Sequence, residues 1–547
     1  MSFPKAKILG KKPEYKSIRR RPELIKIFLC WALIIFPIIF LGACRGSQKI
    51  EMRSLVPKDG LVYLETNDLA QTLESLTGGQ AFQTLAAKTP DFSALKNLQL
   101  AVVITGFQTS GENSVLNLTP QFVAVAETHR WSWQACVFVE NQLDNFVRKN
   151  YGEEATRETT EKDSGRFYTW TAADKRQVFA FVEDSRIYFG NDAAAIEKCL
   201  AVRRGEAESL LVNESLTKIY SVDNLAFGYV SPEGIREIAN LAAISLAVGT
   251  TEEPDERNFI SQILPQILQK TTREIVWTAN KTERGIEDKF SIAPTMETLP
   301  DLKEILATGA ATTNDAVNFL PPQFSAATRY KLKNPSTAWR GLIGTTAKNI
   351  DEARGNLLTR FSNSLLEPYG VADAETFLSQ IDSEIITVQF DAESEKSATI
   401  VGVKDFEKLK TSISKEINFQ AAPQMQGAAQ IWFSADKTFA VAFVGNKLIL
   451  GDGEGVLKCV SIGESERKSN KNRNFQQFSI SDATAATFGT DYNSAEEIVE
   501  VLAGKKSDTG KLATFYLTET RLNGTNVERT TVSDFGLIGT IIKQVGK

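Results

Sequence analysis

The sequence predicts an α+β protein with two homologous halves, each a mainly antiparallel sheet with packed helices. Strand-like segments occur in clusters, with helical segments between the clusters rather than after every strand. A stretch of sequence also recurs at a spacing of 262 residues. The composition, 42% hydrophobic and 24% charged over 547 residues, is that of a globular protein and excludes a polytopic membrane protein or a mostly disordered chain.

The first 43 residues differ from the rest of the chain in charge. They hold nine Lys or Arg against two acids, a net charge of +7, whereas the whole chain carries −5 and the remainder therefore −12. An uncharged apolar run over 27–41 follows the basic residues and leads into Gly42, Ala43 and Cys44. A basic region, an apolar region and then small residues are the parts of a secretory signal peptide, which we predict for residues 1–43.

The tetrad Leu41-Gly42-Ala43-Cys44 resembles the bacterial lipobox. The resemblance implies cleavage between Ala43 and Cys44, and a diacylglycerol on the sulfur of Cys44. Two alternatives stay open. One is an uncleaved single-pass anchor, for which the apolar run is short and is interrupted by Pro37. The other is a buried core segment of a cytosolic protein.

In both the lipidated and the anchored alternatives, the chain after residue 43, called the body, is exported, because the positive charges hold the N terminus in the cytoplasm. We therefore expect a membrane-anchored protein on the periplasmic face or the outer membrane of a bacterium. Arg45 is not the aspartate that retains some lipoproteins in the inner membrane, which favours the outer membrane where the host has one.

The internal repeat is clearest between residues 170–182 and 432–444, where seven of thirteen positions are identical. It continues for some 15 residues beyond these segments, with the offset falling to 260 through two gaps. The predicted organisation is a tether over 44–54, a first half over 55–293, a linker over 294–318 and a second half over 319–547. The aligned residues that we expect to pack in the two cores are Trp170 with Trp432, Phe181 with Phe443, and Cys199 with Cys459.

The elements of the first half follow from hydrophobic periodicity and from turn residues. Asp192 is the predicted N-cap of the second helix, and Ser231-Pro232 opens the third, which Gly249 closes. The predicted strands cover 61–65, 98–105, 121–126, 131–140, 167–172, 178–182, 186–189, 274–280 and 287–292, and the predicted helices cover 141–151, 193–202 and 232–249.

The body opens with Leu55-Val56-Pro57-Lys58-Asp59. Together with the leader and the duplicated α+β body, this motif resembles an uncharacterised family of bacterial exported proteins, classed only as a domain of unknown function. The resemblance implies a bacterial source and carries over no activity or site residue.

Few residues have the type and spacing that predict a catalytic or metal-binding site. His129 is the only histidine, which excludes sites that need two or three imidazoles, and it is predicted in an exposed turn between two strands. The cysteines after Cys44 match no zinc spacing, so we expect no metal and no cofactor. The glycine-rich segment 451–455, the acidic segment 252–256 and the single triplet at 508–510 are each predicted to be ordinary turns or loops.

We expect a non-enzymatic scaffold or binding module, because the repeated positions are of fold-forming types. The alternative is an exported hydrolase or ligand-binding protein that uses carboxylates at the cleft between the two halves. The expected partners are the membrane, through the lipid anchor or a single N-terminal helix, and an envelope protein. Nucleic acid is not expected, because a body of charge −12 repels phosphates.

Overall fold

The computed structural model describes residues 49–112, 115–162, 165–249, 265–309, 314–391, 396–461, 473–491, 494–504 and 512–546. The leader with Ala43 and Cys44, the acidic segment 252–256 and the triplet 508–510 lie outside these residues.

In the described residues, twenty strands form one sheet. They are β1 (Val62–Thr66), β2 (Gln99–Glu112), β3 (Val115–Glu127), β4 (Thr156–Lys162), β5 (Gly165–Thr171), β6 (Gln177–Glu183), β7 (Arg186–Gly190), β8 (Ala226–Val230), β9 (Thr272–Thr282), β10 (Gly285–Pro294), β11 (Ala326–Lys331), β12 (Ile381–Gln389), β13 (Ser397–Val403), β14 (Gln424–Gln426), β15 (Ala429–Phe433), β16 (Phe439–Val444), β17 (Lys447–Asp452), β18 (Ala485–Asp491), β19 (Thr514–Asn523) and β20 (Asn526–Ser533).

The strand order repeats. From one edge to the other it is β4-β5-β6-β7-β3-β2-β1-β8-β9-β10-β20-β19-β18-β11-β12-β13-β17-β16-β15-β14, with every neighbouring pair antiparallel. Read inward from the far edge, the last ten strands have the order β14-β15-β16-β17-β13-β12-β11-β18-β19-β20. This is the order of the first ten strands with each label increased by ten. The strand order is therefore symmetric about the β10–β20 pair, as it would be for two similar units related by a two-fold axis. We call the β10–β20 pair the seam, and β1–β10 and β11–β20 the first and second halves.

Sixteen α-helices with defined bounds accompany the strands in the described residues. They are α1 (Leu69–Thr77), α2 (Gln80–Leu85), α3 (Ser132–Phe138), α4 (Asp144–Tyr151), α5 (Ala193–Arg203), α6 (Glu214–Thr217), α7 (Pro232–Gly249), α8 (Leu299–Ile305), α9 (Pro335–Asn349), α10 (Glu352–Phe361), α11 (Ala374–Ser379), α12 (Phe406–Thr411), α13 (Gly453–Val460), α14 (Arg473–Ile480), α15 (Ser494–Ala503) and α16 (Gly536–Gly546). The 3₁₀-helices are Met52–Leu55, Ser93–Leu95, Leu210–Val212, Asn314–Phe319, Ser362–Ser364 and Glu367–Tyr369, and Val139–Leu143 is a π-helix.

Each half has a core on both faces of the sheet, because successive side chains of a strand point to opposite faces. The face that α5 and α13 cover is called the front. In the first half, α1–α4 cover the back, and in the second half α11 and α12 do so. The prediction of an α+β fold with a mainly antiparallel sheet is confirmed.

Helices cross the seam in both directions. The helix α16, at the end of the second half, packs on β10 of the first half, where Leu537 N donates to Asp288 Oδ2 at 2.7 Å. In return, α8 follows β10 and packs on α9, where Lys348 Nζ lies 3.2 Å from Asp301 Oδ2. The predicted linker 294–318 therefore contains α8 and most of a 3₁₀-helix, and it contributes to the packing between the halves.

One predicted element is wrong. Residues 131–140 were expected to form a strand because they are rich in aromatic and β-branched side chains, but they form α3 and the start of the π-helix. Ala135, Val139 and Leu143 are all buried, at the spacing of one helix face, whereas Asn141, which a strand would place on the same face as these three, is exposed. The composition indicated a strand, and the spacing of the buried residues decides for a helix.

Candidate functional site

The candidate site is a pocket on the front face at the seam. It has a volume of about 220 Å³ and lies on the strands where the two halves join. Six of its side chains are charged, three of each sign. The lining residues are Arg284, Glu287, Lys289, Leu517, Glu519, Arg521, Glu528, Thr530 and Val532. We call this site the seam pocket.

The wall of the seam pocket that belongs to the second half is held by ion pairs. Lys289 Nζ lies 2.9 Å from Glu528 Oε2, which also accepts from Asn523 Nδ2 at 3.1 Å. Burial acts to raise the pKa of Glu528, but the hydrogen bonds and the charge of Lys289 outweigh it, and the pKa lies below its ordinary value. Glu528 is therefore an ionised partner of a lysine at neutral pH.

A second set of contacts lies beside the end of α14. Ser481 Oγ donates to Glu519, and Arg521 Nη2 lies 3.5 Å from Glu519 Oε2 and 3.4 Å from Asp482 Oδ1. The pocket therefore carries fixed charges of both signs, held by neighbours on the sheet and on the preceding turn.

The two-fold relation of the halves breaks down inside the pocket. Lys289 and Thr530 face each other at the centre of the seam, and each is the counterpart of the other about the axis. Lys289 neutralises Glu528, but Thr530 has no charge with which to neutralise Glu287. Within the described part of the chain, the side chains of Glu287 and Arg284 make no hydrogen bond or ion pair.

The back of the seam has a different carboxylate. Asp288 accepts from Trp277 Nε1 at 2.8 Å and from Leu537 N at 2.7 Å, beneath α16. Burial raises the pKa of Asp288 to about 6 despite these hydrogen bonds. Its side chain points away from the pocket, because Asp288 alternates with Glu287 and Lys289 along β10. Asp288 caps a helix.

A buried polar cluster lies under the 3₁₀-helix Met52–Leu55. Tyr63 OH donates to Glu65 Oε2, and the guanidinium of Arg53 lies 4.2 Å from the ring centroid of Tyr220. Burial raises the pKa of Glu65 to about 7, although hydrogen bonds from Tyr63 and Tyr220 oppose the shift. Glu65 Oε1 and Arg53 Nη1 are buried without a hydrogen-bond partner among the described residues.

The second half buries charge at the corresponding place. Strand pairing matches Glu65 and Gln99 of β1 and β2 with Arg329 and Glu384 of β11 and β12. Arg329 is 1% exposed and Glu384 is 4% exposed, and Arg329 Nε lies 2.5 Å from Glu384 Oε1. Both halves therefore bury an ionic group at equivalent positions of their strands.

The predicted repeat residues are all buried. Trp170 and Trp432 lie in the back cores, and their indole N–H groups donate to Asp144 and to the Ala421 carbonyl. Cys199 and Cys459 lie in the front cores, and burial raises the pKa of each thiol to about 12.

The third aligned pair does not correspond. Phe181 lies in the front core with Cys199, whereas Phe443 lies in the back core with Trp432. The β5–β6 and β15–β16 turns differ in length, because Thr171 pairs with Gln177 but Phe433 pairs with Ala440. A constant offset of 262 therefore cannot hold on both strands of this hairpin.

His129 is at a turn, as predicted, but its side chain is only 11% exposed. Its backbone φ is +53°, and its Nε2 lies 3.0 Å from Gln99 Oε1. Burial lowers the pKa of His129 despite the nearby charge of Glu127. The expectation of an exposed histidine is wrong, because the Gln99 contact draws the ring against the sheet.

The segment 451–455 binds its own carboxylate. Asp452 caps α13 by accepting from the backbone N–H groups of Glu454 and Gly455 at 3.1 and 3.0 Å. A Cβ on Gly453 would lie 2.5 Å from the Lys437 carbonyl oxygen, so this glycine serves close packing. The donors that a phosphate would need are already occupied.

The seam pocket was not found from the sequence. Its strands show a charged residue at every second position, as in Glu287 and Lys289 or Glu519 and Arg521. That signal indicates a polar face of a strand. It does not show which other strand supplies the facing charges.

The comparisons with known proteins assign no family. No family model matches the sequence, and no curated protein matches it. One solved structure, described as "Structure of crystal form I of TP0453", is similar over 43% of this chain and 100% of its own, at 10% identity and a TM-score of 0.22. A TM-score this low supports no inference about fold or function.

Two further observations concern the described ranges. They contain no group of three or more His, Cys, Asp or Glu residues placed to hold a metal ion. No helix within them has the length and apolar character that crossing a membrane requires.

Proposed function

We propose that the protein is a membrane-anchored, exported envelope protein that acts as a non-enzymatic scaffold or binding module, with the seam pocket as its binding surface. The observation that carries the proposal is the charge arrangement of the pocket. Ion pairs fix most of its charged side chains, while Glu287 and Arg284 offer one charge of each sign to a partner.

The pKa pattern favours binding over hydrolysis. A glycosidase-type general acid needs a carboxyl group with a raised pKa beside the substrate. The pKa of Glu528 in the pocket is lowered, and the described carboxyl groups whose pKa is raised, Glu65, Asp288 and Asp534, do not line the pocket. The described residues of the seam pocket thus give no support to the alternative of a carboxylate hydrolase at the cleft.

The size of the pocket favours a macromolecular partner. Small-molecule sites usually measure about 300–1,000 Å³, and the seam pocket is smaller, at about 220 Å³. It has room for one or two side chains. We propose that an envelope protein places a charged segment there, with a cation against Glu287.

Photocrosslinking in the native envelope tests this binding surface. We expect a benzophenone amino acid at Thr530 to give one discrete adduct with a partner protein. The matched control is the same amino acid at Thr159 on β4, where every residue is exposed, and it should not give that adduct. Identical adducts from both positions would contradict the proposal.

A charge variant makes the crosslinking test specific. Glu287→Lys reverses the free anion, and we expect it to reduce the adduct about tenfold, because a like charge replaces an attractive one. The change should leave the melting temperature nearly unchanged, because Glu287 is only partly buried and unpaired. If Glu287→Lys gave the same amount of adduct as the wild type, the proposal that the seam pocket is the binding surface would be contradicted.

The anchor is tested by the intact mass of membrane-extracted protein. We expect the wild-type chain to begin at Cys44 and to carry acyl mass, because its leader ends in a lipobox-like tetrad. Cys44→Ala should retain residues 1–43 and carry no acyl mass. A wild-type chain that keeps residues 1–43 and lacks acyl mass would show that the anchor is an uncleaved helix.

A further inference from the structure

The point at which the mature chain enters the fold is fixed. Ile50 N donates to Gln99 Oε1 at 2.9 Å, and Gln99 Nε2 donates to the Ile50 carbonyl at 2.8 Å. Five residues, 45–49, separate Ile50 from Cys44. Fully extended, six residue steps span about 20 Å, so a lipid on Cys44 would hold the membrane within about that distance of Ile50.

Two exposed tryptophans lie beside this entry point. Gln99 Oε1 also contacts His129 Nε2 at 3.0 Å. Trp131 follows two residues later, no more than about 7 Å along the backbone, and Trp133 is in the first turn of α3. Each of these tryptophans is 56% exposed.

The surroundings suit a bilayer interface. Arg130 and Lys96 are both exposed and near the tryptophans, since Arg130 Nη2 donates to the Ala94 carbonyl at 3.3 Å. Trp residues concentrate where the hydrocarbon meets the headgroups, because the ring is apolar and its N–H is polar. Basic side chains add attraction to anionic lipids.

We propose that Trp131 and Trp133 insert into the headgroup region of the bilayer that holds the acyl chains of Cys44. This inference rests on the lipid anchor proposed above. The inference also orients the sheet relative to the membrane. The end that faces the membrane is formed by the C-terminal ends of β1 and β3 and the N-terminal end of β2. The tether limits the distance between the sheet and the bilayer, and the two tryptophans determine how the sheet is tilted relative to the bilayer.

Quenching by brominated lipids tests the contact. Full-length acylated protein is reconstituted into vesicles of phosphatidylethanolamine and phosphatidylglycerol, with and without lipids brominated near the headgroup end of the chains. We expect clear quenching of the tryptophan fluorescence in the wild type. In Trp131→Phe/Trp133→Phe we expect the quenched intensity to fall by about half or more, because phenylalanine emits little at these wavelengths and has less interfacial preference.

A tryptophan placed elsewhere is the matched control. Phe361 at the end of α10 is also 56% exposed but belongs to the second half. Phe361→Trp in the double-variant background should not restore quenching. Restored quenching would show non-specific contact with lipid and overturn the inference.

The outcomes separate the two proposals. Acyl mass on Cys44 with no quenching from Trp131 and Trp133 would overturn this inference and leave the anchor in place. Absence of acyl mass would overturn the anchor, and this inference with it. Shielding of the two tryptophans from aqueous iodide that grows with protein concentration, and not with lipid, would assign them to contact with a second copy and also overturn the inference.

Discussion

Replacing Arg329 by Met is expected to lower the free energy of unfolding by about 3–5 kcal/mol, because it leaves a buried carboxylate without its counterion. Glu384 is 4% exposed and its nearest cationic partner is Arg329, at 2.5 Å. Arg329 Nη1 also donates to the Ser479 carbonyl at 2.6 Å. Urea unfolding followed by circular dichroism measures the loss.

The double variant Arg329→Met/Glu384→Leu is the control for the Arg329 experiment. It removes both charges, so most of the lost stability should return, less the cost of the unsatisfied Ser479 carbonyl. A single variant within about 1 kcal/mol of the wild type would mean that water reaches Glu384 and that the pair is not a buried one.

Glu65→Gln is expected to stabilise the protein at pH 8 by up to about 3 kcal/mol and to have little effect near pH 4.5, following about 1.4 kcal/mol for each unit of pKa shift. Burial raises the pKa of Glu65 from 4.5 to about 7. Between these values the folded chain holds a proton that the unfolded chain has released. Stability therefore falls as pH rises through this window, and glutamine removes the dependence.

Urea unfolding at pH 5, 6 and 8 measures the effect of Glu65→Gln. Glu287→Gln is the matched control for the loss of one carboxylate, because Glu287 lies partly exposed in the seam pocket and its replacement should change stability little. A Glu65→Gln variant that differs from the wild type by the same amount at pH 5 and pH 8 would show that Glu65 is ionised in the fold throughout.

The fold class could be predicted because local patterns carry it. Alternation located most strands of the first half, and the predicted helices at 193–202 and 232–249 match α5 and α7 within a residue. The prediction failed at 131–140, where the aromatic and β-branched content favours a strand, but the segment forms a helix that buries Ala135 and Val139 and exposes Trp131 and Trp133. In this segment the composition favours a strand and the periodicity favours a helix, and tertiary packing stabilises the helix.

The candidate site could not be predicted for a different reason. Lys289 and Glu528 are far apart in sequence, and only the pairing of β10 with β20 brings them to 2.9 Å. The pairing of β10 with β20 depends on the whole fold, so no local pattern in the sequence predicts it. The buried Arg329–Glu384 pair was missed similarly, because charged residues in a strand are ordinarily assigned to the solvent side.

Joining the two halves in one chain frees the residues at the axis to differ. An assembly of two identical chains must place the same side chain twice about its axis, so a lysine there would face a lysine. Lys289 faces Thr530 instead. One carboxylate near the axis is neutralised and the other stays available. Under the proposed function, we therefore expect a single partner to bind in one orientation, with one partner to one chain.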